Sequence, residues 1–276
     1  MEHKTRIFIL IIFGLLLFGC KNSDDSRSRP EIAVTNSYLE AAVKDLFGSD
    51  IEILCLAPPG MCPGHFDFSP SQTRQLKDCR LLLFFDFQQQ IEESLSRMKS
   101  NGLKTAQVAA LEGMCIADTY LAACREVSEI LSLEYPEKKA VFNERLKIIE
   151  QRMDSLTGET NAMIKNSGIE SANVLASIHQ SEFANWLNLN TVETFIGSDI
   201  ETMANINKCL SIARDEDVKF IIANKQEGTS LADSLAEQLK IPVVVFSNFP
   251  ETVSGTTGFD ELLRANVRNL TEAAEL

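Results

Sequence analysis

The sequence predicts an α/β protein built from two four-stranded parallel-sheet lobes, joined by a long rigid α-helix, with a ligand cleft between the lobes. Two observations predict it. Short apolar runs rich in β-formers alternate with helix-patterned segments, the rhythm of a parallel sheet wrapped by helices, and that rhythm occurs twice. Between its two occurrences Phe142, Leu146, Ile149, Met153 and Leu156 fall at steps of four, three, four and three, the stripe of an amphipathic helix.

Residues 1–19 precede both lobes and belong to neither. Lys4 and Arg6 lead into an apolar run that closes on Leu17-Phe18-Gly19-Cys20. About 12 apolar residues fall short of the roughly 20 that a membrane-crossing helix needs, so the segment reads as a signal peptide. The ending resembles the lipobox of bacterial lipoproteins, in which the cysteine is lipidated and everything before it removed. Cys20 is therefore the expected lipidation site, and the polar stretch 20–30 a tether with nothing to pack into a core. Cleavage leaves 24 basic and 38 acidic residues, a net charge near −14. Clustered Lys and Arg, which a phosphate backbone requires, are missing, so no nucleic-acid partner is expected. Six cysteines remain after Cys20; export allows disulfides, and the connectivity cannot be read from spacing.

The expected strands of the N-terminal lobe, 31–133, are 32–35, 51–56, 81–85 and 106–109, with helices at 37–47 and 71–77. The linking helix lies within 134–168; unbroken, it would span roughly 40 Å at 1.5 Å per residue. Gly158 costs it about 1 kcal/mol and could bend it. In the C-terminal lobe, 169–276, strands are expected at 174–178, 191–195, 218–223 and 243–246, and helices at 181–187, 203–215, 230–239 and 259–274. A stiff connector implies little closure on a ligand.

Ligands of open α/β sheets lie beyond the C-terminal strand ends. After 51–56 comes a Pro- and Gly-rich loop with Cys62 and His65; after 174–178 come His179 and Gln180; after 218–223 come Asn224, Gln226 and Glu227; after 243–246 come Ser247 and Asn248. His65 and His179 are the only histidines outside the signal, one per lobe, at the ends of what read as corresponding strands. Neutral imidazole is the commonest zinc ligand, and a thiolate three residues away could join it. Surface histidines in loops and a disulfide at Cys62 fit these positions equally well.

His65-Phe-Asp-Phe-Ser-Pro70-Ser71, Ala176-Ser-Ile-His179-Gln-Ser-Glu-Phe183 and the closing Phe259-Asp-Glu-Leu-Leu-Arg-Ala-Asn266-Val resemble the zinc- and manganese-binding solute-binding lipoproteins of bacterial ABC transporters, the TroA-like family, of which this would be a divergent member. The resemblance spans nearly the whole chain. It implies a metal held between the lobes, zinc with manganese or copper(I) as alternatives, by His65 and His179. It also implies a monomer on the outer face of a membrane or in the periplasm, with an ABC permease as partner and no enzymatic activity. Where the family usually supplies a third histidine this chain has Glu112 and Cys115, and at its two acidic positions it has Asn224, with Glu227 three residues on, and Asn248. Those residues with Cys62 complete the candidate ligand set.

Two other classes stay open. A surface adhesin or scaffold could keep the fold without a tight metal site. A secreted enzyme could pair Cys62 with His65 or Cys115 with His179, although neither Gly-x-Ser-x-Gly nor a nucleotide-binding glycine loop is present.

Overall fold

A computed structural model of the chain describes residues 30–48, 51–57, 69–88, 102–197, 200–251 and 258–275. The signal, Cys20 and the loop with Cys62 and His65 lie outside them. The first sheet contains β1 (Ile32–Val34), β2 (Ile53–Cys55), β3 (Leu81–Phe85) and β4 (Lys104–Val108) in the order β2-β1-β3-β4. The second contains β5 (Asn173–Ser177), β6 (Asn190–Phe195), β7 (Phe220–Asn224) and β8 (Val243–Phe246) in the order β6-β5-β7-β8. Every pairing is parallel.

The first-lobe helices are α1 (Ser37–Phe47), α2 (Pro70–Leu76) and α3 (Ala117–Glu134). α1 starts where Asn36 accepts from the Tyr38 and Leu39 amides, and α2 on a reciprocal box between Ser69 and Gln72. α3 has no counterpart in the predicted elements. Its start, Ile116, supplies no side-chain cap, so the usual polar signal is missing. Its helical period is nevertheless plain in buried Ala117, Tyr120, Leu121, Cys124, Val127 and Leu131. Two edge strands begin earlier than expected, because Lys104 of β4 and Asn190 of β6 are exposed polar residues that hydropathy alone does not count as strand.

The linking helix α4 (Lys139–Ser167) follows a short 3₁₀ turn and runs through Gly158 unbroken for 29 residues, roughly 43 Å. Gly168, left-handed at φ 70°, ends it. The second lobe adds α5 (Ser181–Trp186), α6 (Met203–Asp215), α7 (Ser230–Leu239) and α8 (Phe259–Ala273).

Alternation along the strands decides where the core sits. Ile32, Val34, Leu81, Leu83 and Phe85 of the first sheet and Val174, Ala176, Phe220, Ile222, Val244 and Phe246 of the second all face one continuous core, shared with α1, α3, α4 and α8. The intervening Ala33 and Leu82 face a small cluster with Leu76 of α2, while Leu175, Ile221 and Ala223 face another with Cys209 and Leu235. The lobes are thus two sheets over one interior, and moving one against the other would expose close-packed apolar surface.

A polar cluster ties the same elements at the rim of that core. Asp45 of α1 accepts from Tyr120 Oη at 2.7 Å and from both terminal nitrogens of Arg152 in α4. Arg152 Nε lies 3.1 Å from Asp260 Oδ1 of α8 as an ion pair, without hydrogen-bond alignment. One arginine on the linking helix therefore joins carboxylates from both lobes.

Candidate metal site

The order β6-β5-β7-β8 places the switch point of the second sheet between β5 and β7, because the chain leaves β5 toward β6 on one side and reaches β7 on the other. Beyond β5 the chain folds into a 3₁₀ turn, Ile178–Gln180, whose first residue is preceded by Ser177; that hydroxyl accepts from the His179 amide at 3.3 Å. Beyond β7 a second turn, Lys225–Glu227, is started by Asn224, which accepts from the Gln226 amide. The two turns bring His179 and Glu227 face to face, with His179 Nε2 3.5 Å from Glu227 Oε1. The imidazole is open to solvent, 60% exposed, and the carboxylate is 17% exposed. Donors on one tetrahedral zinc, bound at about 2.0–2.2 Å each, stand roughly 3.4 Å apart. The separation of His179 and Glu227 matches that edge, so the pair fits one side of a zinc site.

The other residues expected as ligands sit elsewhere. Cys115, Asn224 and Asn248 do come together, but around Gln180 and through hydrogen bonds to one another. Gln180 Nε2 donates to Asn248 Oδ1 at 3.0 Å and to Asn224 Oδ1 at 3.3 Å. Cys115 donates to the Ser247 carbonyl at 2.9 Å, lies 3.5 Å from Asn248 Oδ1, and accepts from Asn266 Nδ2 at 3.3 Å. Burial pushes the Cys115 thiol above its ordinary pKa, in keeping with its role as a hydrogen-bond donor to the Ser247 carbonyl. Together these groups form a polar seam where the first lobe meets the second. Glu112 is exposed in the loop after β4, its carbonyl taking the Thr119 hydroxyl at 3.3 Å. His65 and Cys62 lie outside the described residues. Among the described residues, no group of three His, Cys, Asp or Glu side chains could hold a metal.

Topology also corrects one expectation. β1 and β5 occupy the same place in their sheets, as do β2 and β6. His65 follows β2 and His179 follows β5, so the two histidines do not end corresponding strands. In the second lobe Ser177 at the end of β5 donates to Glu227 Oε2 beyond β7; its first-lobe counterpart is Thr35 after β1, which donates to Gln88 Oε1 after β3 at 2.7 Å.

Cysteines Cys55, Cys79, Cys115, Cys124 and Cys209 are all free, so the disulfides that export would allow are not formed among the described residues. Trp186 packs on Phe183, ring centroids 5.9 Å apart, and belongs to the shared core.

Comparison with known proteins agrees with this architecture. The family described as ZnuA, zinc-uptake complex component A, periplasmic, matches residues 117–273. The chain belongs to that family. The ZnuA family is a metal-binding transport component rather than an enzyme family. A curated relative, the uncharacterized protein RP014 of Rickettsia prowazekii (strain Madrid E), is 19% identical over 278 residues, covering 95% of this chain and 91% of that one. The periplasmic zinc-binding protein TroA from Treponema pallidum superposes with a TM-score of 0.71 at 14% identity, over 90% of this chain and 99% of that one. The Mn-bound periplasmic metal-binding protein from Candidatus Liberibacter asiaticus gives 0.74 at 10% identity, over 88% and 98%. At such identities the structural likeness is one of fold.

Reading the sequence singled out His179 and Glu227 but missed Ser177, whose hydroxyl donates to Glu227 Oε2. A hydroxyl two residues before a histidine at a strand end was the available signal for Ser177.

Proposed function

We propose that the mature protein is an extracytoplasmic lipoprotein, anchored through Cys20, that binds zinc between its lobes and delivers it to the permease of an ABC importer. The observation that supports this reading best is the His179–Glu227 pair across the switch point of the second sheet, at the spacing of two donors on one zinc. A neutral nitrogen and a carboxylate suit a borderline divalent ion, and His65, with Cys62 as a further donor, would complete the site from the first lobe. TroA is a zinc-binding protein and the Liberibacter protein is Mn-bound, so manganese is the competing cargo. Cys115, Asn224 and Asn248 are assigned to the seam instead, because their polar groups are engaged there. The lipid anchor rests on Leu17-Phe18-Gly19-Cys20 and the tether after it.

Metal analysis of mature protein purified without an affinity tag tests the reading. One zinc per chain is expected, and His65→Ala and His179→Ala should each remove most of the affinity. A chain that takes up neither zinc, manganese nor copper(I) would favour a scaffold on the same fold. Cys20→Ser should release the protein from membranes, and unchanged fractionation would overturn the anchor.

A further inference from the structure

We propose that the end of the first lobe where its strands begin is a membrane-contact face, resting on a zwitterionic lipid surface. The inference rests on the lipid-anchor reading of Cys20 and is independent of the metal. The starts of β3 and β4 and the last turn of α3 enclose a groove of about 470 Å³, whose apolar lining includes Leu81, Leu103, Ile130 and Leu133. Leu133 is 83% exposed, more than any other large apolar side chain among the described residues. A lone surface leucine is ordinary, but one that lines an apolar groove belongs to a larger patch.

The expected tether enters the fold beside this groove. The Pro30 carbonyl accepts the Cys79 thiol at 3.3 Å, the Glu31 carbonyl accepts the Arg80 amide at 2.7 Å, and the Arg80 carbonyl accepts the Lys104 amide at 3.1 Å. Two strands therefore separate the start of β1 from the groove, and Tyr135 Oη reaches Glu31 Oε2 at 3.3 Å from the end of α3. Residues 21–29 lie between Cys20 and Pro30, and at about 3.3–3.6 Å each they hold this face within roughly 30 Å of the anchor. A contact so tethered is intramolecular, at an effective concentration on the order of millimolar, so an affinity too weak to hold free protein suffices. The tether cannot fill the groove itself, because Lys-Asn-Ser-Asp-Asp-Ser-Arg-Ser-Arg has no apolar side chain.

Charges at the rim select the lipid. Arg80 Nε and Lys104 Nζ both donate to the Glu134 carboxylate, at 3.3 and 2.8 Å, and Glu31 stands beside them. Two cations and two carboxylates match a headgroup carrying phosphate and ammonium, whereas a mature net charge near −14 opposes an anionic surface. The stems of Arg80 and Lys104 can lie along acyl chains while their heads stay among the headgroups. Contact at the N-terminal strand ends leaves the C-terminal ends of the first sheet, on the cleft side, open to solvent.

The test places the mature lipidated protein on phosphatidylethanolamine–phosphatidylcholine vesicles with brominated acyl chains, which quench tryptophan on contact. Leu133→Trp should be quenched, while Met203→Trp, at an exposed position beyond the C-terminal end of β6, and the wild type with Trp186 alone should not. Hydrogen exchange of the unsubstituted protein asks the same question without a new tryptophan. Vesicles should slow exchange in β4 and the last turn of α3, leave α6 unchanged, and lose the effect in Leu133→Asp, whose contact equilibrium falls roughly ten- to hundredfold. Vesicle-bound protein with no slowing there, or with equal quenching at 133 and 203, overturns the contact face alone. Slowing that needs no vesicles and grows with protein concentration assigns the groove to a second copy and overturns the lipid contact. Wild-type protein that does not stay with the vesicles overturns the anchor and this proposal with it.

Discussion

The Tyr120 ring lies stacked on Phe259, centroids 4.1 Å apart and planes within 9° of parallel. Tyr120 belongs to α3 of the first lobe and Phe259 opens α8 of the second, while Tyr38 of α1 meets both edge-on at 5.3 and 6.1 Å. The contact between lobes is therefore an aromatic core and not a hydrated hinge. Phe259→Ala should cost about 3–5 kcal/mol. Because the core is shared, both lobes should unfold in one transition, with Trp186 fluorescence, which reports the second lobe, and far-UV circular dichroism coinciding in urea. Two separated transitions in the wild type would show that the lobes are independent.

The same packing limits motion on binding. α4 crosses from one lobe to the other without a break, Arg152 in it contacts carboxylates from both, and Glu159 pairs bidentately with Arg264 of α8 at 3.0 and 2.9 Å. Small-angle scattering with and without zinc should give nearly the same radius of gyration. A compaction of several per cent would require hinge motion at the crossovers between lobes.

Gly158 offers a stabilising substitution on that helix. It is exposed, and a Cβ there would meet nothing within 4 Å. Gly158→Ala should add about 1 kcal/mol through helix propensity, raising the melting temperature by roughly 2–4 °C. No gain would mean that α4 frays at this point in solution.

Much of the fold was legible because each sheet is buried on both faces. A strand such as Leu81–Phe85, apolar at all five positions, announces itself in hydropathy. The polar starts of β4 and β6 do not, and α3 escaped because Ile116 supplies no cap. At the site, strand ends pointed to His179 and Glu227, since topology alone brings those positions to the switch point. The seam around Gln180 was not legible. Asn and Cys read equally as metal donors or hydrogen-bond partners, and only burial separates the two.

Acid should weaken the fold in a definite window. A hydrogen bond from Lys104 holds the Glu134 carboxyl below its usual range against the opposing effect of burial, with Arg80 adding to the pull; Arg264 does the same for Glu159. A carboxyl lowered by folding contributes stability above its unfolded value of about 4.3, and the contribution is lost as pH falls through the folded value. Asp260 has the opposite sign: burial raises it, against the pull of Arg152, so its contribution improves on acidification. Urea midpoints should therefore fall below about pH 4.5, and more shallowly in Glu134→Gln. An acid limb identical in that variant would exclude Glu134 as a source.

Cys115 separates the two uses that a thiol at the lobe junction could serve. A zinc thiolate must lose its proton, and substitution would then abolish metal binding. The Cys115 thiol is instead wholly buried, pushed up in pKa by that burial, and donates to the Ser247 carbonyl while Asn266 donates to its sulfur. Cys115→Ala deletes the donor, but Asn266 Nδ2 still donates to the Ser247 carbonyl at 2.9 Å, so neither is orphaned and the loss should be about 0.5–1.5 kcal/mol. Cys115→Ser keeps a donor and should lose less. Zinc affinity should survive in both variants, measured against a melt that shows the stability change. Loss of stoichiometric zinc in the folded Cys115→Ser protein would return Cys115 to the ligand set and require the seam to open when metal binds.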